Sequence, residues 1–199
     1  MMNTKRRRKT VGQAIVEFAL SATVIFLLLA AAVDLGLIFF TLQALRAAAQ
    51  EGATYGSYPV VVTNSSGQVT AVTLNYTEIF RRIRTAGGTQ PMGVANLLDL
   101  NGDGVDDANQ TAVFNASNPT NPNGFVIIEN PKGANPANLS GTCATTTPRV
   151  DMRNAGQNCW IRVTIRYRYR LFFPFAPAFG QEIILRVTHT MPIRSQFVG

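Results

Sequence analysis

The densest run of oxygen donors in this 199-residue chain is Asp99-Leu100-Asn101-Gly102-Asp103-Gly104-Val105-Asp106-Asp107-Ala108-Asn109-Gln110. Side-chain oxygens fall at alternate positions: Asp99, Asn101, Asp103 and Asp107, with the Val105 carbonyl between the last two. Gly104 supplies the sharp turn that such a loop needs. This chemistry suits a hard cation, and one Ca²⁺ is the expected cofactor. Gln110 occupies the twelfth position, where a bidentate Glu would close the shell, so binding belongs at the weak end of ~10⁻⁴–10⁻³ M. The alternative is an acidic Asn-Gly turn that binds nothing. Four carboxylates within nine residues would then repel one another without compensation.

Cys143 and Cys159 are the only cysteines. A metal or redox role would want closer spacing or more ligands, whereas a pair on the outer side of a membrane most often forms a disulfide. Closing that loop contributes roughly 3 kcal/mol in the chain-entropy model. The single histidine, His189, has no Ser, Asp or Cys arrangement around it in sequence. Nothing pairs a nucleophile with a base, so the chain reads as a non-enzyme.

The elements that must position these groups are short strands and turns. Val60–Thr63, Asn64–Gly67 and Gln68–Leu74 read as strand, turn, strand. Thr77–Thr85 reads as a short helix capped by Thr77. Ile79, Phe80 and Ile83 would face inward, Arg81, Arg82 and Arg84 outward, and Gly87-Gly88 would stop it. Phe125–Glu129 is a further apolar strand. Residues 115–124 and 130–158, rich in Asn, Pro, Gly, Ser and Thr, read as surface loops held by the disulfide rather than by a core. The clearest strand is Ile161–Leu171. Its apolar residues alternate with Arg162, Thr164, Arg166, Arg168 and Arg170. Ile183, Leu185, Val187, His189 and Met191 alternate likewise, so an antiparallel pair is expected. The intervening Phe173–Phe179 is apolar for a loop and is expected to meet another subunit or fold over the core. The arginine row would be a solvated face, or one that meets anionic lipid or a neighbouring subunit. Aromatics on that strand point the other way and cannot stack on bases held by the arginines.

The amino-terminal quarter differs in kind. Lys5-Arg6-Arg7-Arg8-Lys9 precedes Gly12, and Phe18 to Phe40 is apolar except at Ser21, Thr23, Asp34 and Gly36. That span makes about 34 Å of helix, enough to cross a ~30 Å hydrocarbon core. It is too long for a secretory signal, whose apolar region has only about 7–15 residues. The cations keep the N-terminus cytoplasmic and place the C-terminal bulk outside. Good helix formers continue from Thr41 to Tyr55, and Gly56, Ser57 and Pro59 stop them, giving one helix of about 40 residues. The organisation expected is a basic leader (1–12), a transmembrane and extended helix (13–57) and an extracytoplasmic β-rich head (58–199). Asp34 would reach outward or pair with Arg46 of an adjacent helix. The formal charge is +7, but beyond Gly12 there are 13 Lys and Arg against 11 Asp and Glu, so bulk charge gives nucleic-acid binding no support.

Gly12, then Gln13, then Glu17 at the fifth position after the glycine resembles the class III signal sequences of type IV pilins. More closely, GQAIVEFAL, VDLGLIFF and LRAAAQEGATYGS resemble the amino-terminal domain of TadE-like pilus assembly proteins, over residues 10 to 57. The two C-terminal strands, the second ending near Met191-Pro192, are similar more loosely, and the stretch between looks like an insertion. The acidic loop, in turn, resembles EF-hand and dockerin-type loops, without flanking paired helices. The pilus resemblance implies an α+β, pilin-like fold. It implies a prepilin peptidase cutting between Gly12 and Gln13, and Glu17 as a recognition or assembly carboxylate. After cleavage the Gln13 α-amine would suit Glu17 of a neighbouring subunit; otherwise Glu17 sits at headgroup level near Lys9. The implied partners are the peptidase, other pilin subunits and the pilus machinery. The implied role is a structural minor pilin or pseudopilin. A filament-forming pilin and a membrane-anchored surface adhesin are the alternatives.

Overall fold

The computed structural model describes residues 5–86, 95–143, 159–172 and 180–194, with side chains from Gly12 onward in the first helix. The element order is α1 (Lys5–Gly56), β1 (Val60–Thr63), β2 (Val69–Thr73), α2 (Tyr76–Thr85), a 3₁₀ turn (Asp107–Asn109), β3 (Val126–Glu129), β4 (Trp160–Arg170) and β5 (Glu182–Pro192). This is the α+β class expected: one long amino-terminal helix, then antiparallel sheets.

The chain divides into two units. One takes in the helix up to Phe39 together with Arg170–Ile183; the other runs from Phe40 to Tyr169 and resumes at Ile184. α1 has 52 residues rather than about 40, because the helix already includes Lys5–Val11. Lys and Arg are good helix formers, and Gly12 alone does not break the run. In the first unit the helix surface is apolar and bare: Phe18, Phe26, Leu28 and Leu35 are each about two-thirds exposed or more. The stretch is long and apolar enough to cross a membrane, with a mean hydropathy of 2.5. It is a single-pass membrane anchor.

The second unit holds the core. Along α1, Ala44, Leu45, Ala48, Ala49 and Ala53 are buried. Small residues on one stripe let other elements approach the helix axis. A Cβ on Gly52 would meet Ile83 Cγ1 at 2.6 Å, and one on Gly56 would collide with Ile161 and Ile79. The apolar face of β4 and the α2 face thus pack on this part of α1, as the alternation predicts. Ile161, Val163, Ile165 and Tyr169 are buried on β4, and Leu185 and Val187 on β5.

β1 and β2 form an antiparallel hairpin pairing Val60 with Thr73 and Val62 with Ala71. Asn64 Oδ1 accepts the Ser66 and Gln68 N–H groups, and Gly67 closes the turn at φ +77°. The second sheet has the order β3-β4-β5. β3 runs antiparallel to β4, with Val126 opposite Ile165.

Three local expectations need correction. Asn75, not Thr77, caps α2: its side chain accepts the Glu78 N–H at 3.1 Å. Asn and Thr are both good caps, so the choice is fixed only by where the chain leaves β2. Arg84 does not face solvent. Its side chain is only 12% exposed, lies over the Phe80 ring and pairs with Asp106. Thr164 is buried within the arginine-bearing face and bonds Thr188 on β5 at 3.0 Å, because the sheet continues past it. Gly87-Gly88, Phe173–Phe179 and residues 144–158 lie outside the described residues.

Candidate functional site

Two places carry the residues that sequence chemistry singles out. The first is the start of the apolar helix. Gly12 and Gln13 are adjacent, Glu17 lies one turn beyond Gln13, and all three are exposed. Gln13 Nε2 donates to Glu17 Oε1 at 3.1 Å, so this i,i+4 pair shares one helix edge. A Cβ on Gly12 would meet nothing within 4 Å. Glycine in a helix interior costs about 1 kcal/mol against alanine, and nothing in this chain's packing requires it there.

Further along the same unit, Asp34 is buried, at 4% exposure. Its carboxylate accepts the Phe172 N–H at 3.1 and 3.2 Å. This corrects the expectation of outward reach. A backbone donor from a segment distant in sequence serves as a partner that no local pattern announces. Arg46 of the same chain lines a groove of about 440 Å³ with Gln50, Arg186 and His189.

The second place is the loop from Asp99 to Gln110. Gly102 and Gly104 have φ of +72° and +82°, turning the chain twice in three residues. Asp99 gathers the N–H groups of Gly102 (2.7 Å), Asp103 (3.2 Å) and Gly104 (2.9 Å). Asp103 Oδ1 accepts Val105 N–H at 2.8 Å. That bond leads the causes holding its carboxyl below the usual range. Asn101 Nδ2 reaches Asp103 Oδ2 (3.0 Å) and Gln110 Oε1 (2.9 Å), so the third, fifth and twelfth positions converge. Asp107 is fully buried and its Oδ2 accepts Leu100 N–H at 2.6 Å. Burial chiefly pushes its carboxyl up to about 6, and the Asp99 and Asp103 charges add to this. Asp107 N–H donates to Leu98 O, closing the loop. Asp106 points elsewhere: it accepts Ala108 N–H and pairs with Arg84. Among the described residues, no three His, Cys, Asp or Glu side chains stand together closely enough to hold a metal ion on their own. An Asp/Asn/Gln/carbonyl oxygen set suits a hard cation.

The arginine row does not behave as one free face. Arg162 pairs with Glu129 at 3.6 Å, and Arg166 donates to Pro122 O. Arg168 lies over the Phe125 ring, and Arg170 pairs with Glu182 at 3.2 Å. Each guanidinium is used inside the molecule to tie β4 to a loop or strand beside it.

Cys143 and Cys159 form the expected disulfide, with Cα atoms 5.6 Å apart. Ile193 packs on it. The segment before it is better tied down than a loop reading suggests. Cys143 N–H bonds Asn130 O, Lys132 bridges to Ser140 and Cys159, and Trp160 Nε1 donates to Gly133 O at 2.7 Å. Asn115, Asn121 and Asn135 each accept the N–H two residues on, so turn chemistry orders these stretches.

Residues 12–54 match the model of the TadE-like protein family. The match begins on Gly12 and covers the exposed apolar helix and its buried continuation. No curated protein and no solved structure matches the chain.

Proposed function

We propose that this chain, which carries a TadE-like segment over residues 12–54, is a structural minor pilin or pseudopilin in the assembly of a Tad-type pilus. The observation that carries the reading is an apolar helix surface that stays exposed or half-exposed from Gly12 to Val33, headed by Gly12 and Glu17. A lone membrane span needs neither a glycine at that point nor a carboxylate one turn further on. A peptidase that must reach the backbone explains the first. Helix-to-helix assembly explains the second, because a new α-amine on Gln13 can neutralise Glu17 of a neighbour inside a low-dielectric bundle.

In this reading the N-terminus faces the cytoplasm, the head lies outside, and cleavage after Gly12 removes the basic leader. The work is done by packing, not by catalysis. Isolation of native filaments followed by mass spectrometry tests it. The chain should be present at low stoichiometry or be required for filaments to form. Glu17→Ala should still insert into the membrane but lose incorporation. Incorporation of that variant at the parent level would remove the assembly role of Glu17. Presence on the membrane with no effect on filaments would favour the anchored adhesin.

A further inference from the structure

We propose that the loop Asp99–Gln110 is a single Ca²⁺ site whose oxygen donors are Asp99, Asn101, Asp103, the Val105 carbonyl, Asp107 and Gln110. The proposal stands apart from the pilus reading and does not need it.

The decisive atom is Asp107 Oδ1. Asp107 is 0% exposed, and while its Oδ2 takes the Leu100 N–H, Oδ1 is buried with no hydrogen-bond partner. A buried carboxylate oxygen left bare carries a large desolvation cost. The amides of this loop donate elsewhere, Asn101 to Asp103 and Gln110, and Gln110 to Asp103, and the Asp99 and Asp103 charges act on Asp107 electrostatically. Two guanidinium groups act on the cluster only through space, Arg84 on Asp107 and Arg168 on Asp103, and Arg84 gives its hydrogen bond to Asp106, the one carboxylate of the four outside the donor set. A cation meets all these needs together.

The cation's class follows from the donors. All are oxygens, at least two are neutral, and they sit on a flexible loop. That pattern suits Ca²⁺, which accepts 6–8 oxygens in loose geometry, better than Mg²⁺, which demands a near-ideal octahedron. Asp99 is already fixed by three backbone donors at the first position, and the amide of Asn101 already draws Asp103 and Gln110 together. Gln110 brings one neutral oxygen where a carboxylate would bring two charged ones, so affinity should lie at ~10⁻⁴–10⁻³ M.

The test is calorimetric titration of the full chain in detergent micelles with CaCl₂, alongside thermal unfolding with and without about 10 mM Ca²⁺. One site in the stated range and a rise in Tm of about 3–10 °C are expected. Asp103→Asn should abolish both while keeping the calcium-free circular dichroism spectrum. Asp106→Asn should retain both. Gln110→Glu should tighten binding about tenfold by restoring the twelfth-position carboxylate, which keeps the test decisive should Asp103→Asn fail to fold. No heat and no rise in Tm, an equal response to MgCl₂, or an affinity unmoved by Gln110→Glu would each overturn the site.

Discussion

At the scale of single residues, several charged groups are held by partners that neutralise or orient them. Glu78 receives Arg81 through two hydrogen bonds of 2.6 Å and Arg82 at 3.1 Å. The Arg81 bonds chiefly hold its carboxyl down at about 2. Since the folded value lies below the unfolded one, the stabilisation is present above about pH 4.5 and is lost as pH falls from there toward 2. Carboxyl NMR titration should find Glu78 ionised at pH 3, and Glu78→Gln should flatten the acid limb of the stability curve. Asp34 makes a different prediction. Asp34→Leu leaves the Phe172 N–H without this acceptor, a loss of about 1–2 kcal/mol. Hydrogen exchange at the Phe172 amide should then accelerate roughly tenfold, while Asp34→Asn, which keeps an acceptor oxygen, should leave it protected.

At the scale of elements, close packing around α1 outweighs helix propensity. Gly56 ends α1, so Gly56→Ala gains less than the about 1 kcal/mol of a helix interior, while its Cβ would run into Ile161 and Ile79, and overpacking typically costs about 1–3 kcal/mol. Net destabilisation is expected by thermal unfolding, whereas Gly12→Ala, with open space around it, should not destabilise the fold. The disulfide is the other element-scale constraint. Cys143→Ser with Cys159→Ser should cost about 3 kcal/mol, and the parent should resist alkylation until reduced. Much of this level was legible beforehand. The alternation of β4 and β5, the β1–β2 hairpin and the inward set of α2 are written in periodicity, which strands and amphipathic helices cannot hide. What escaped was decided by long-range pairing. Arg84 with Asp106, Thr164 on Thr188, Asp34 on Phe172 N–H and the internal partners of the arginine row all join residues on different elements. No local pattern distinguishes an arginine that is solvated from one that ties two strands together.

At the scale of the whole molecule, the chain combines an anchor whose apolar surface is largely exposed with a folded portion that has a core, a disulfide and an acidic loop. The anchor was legible because twenty-odd apolar residues after a basic run have few physical readings. The proposed processing site rests on resemblance, since no rule of packing picks Gly12 from the chain's sixteen glycines. The structure adds that Gly12 has no neighbour of its own to make room for. The account's central claim is that this glycine serves a peptidase that releases an assembly-competent helix. The measurement that tests it most directly is N-terminal sequencing of the protein extracted from membranes that contain a prepilin peptidase. The account predicts a mature chain beginning at Gln13, with the uncut chain recovered when the peptidase is removed. A chain that still begins at Met1 with the peptidase present would contradict it.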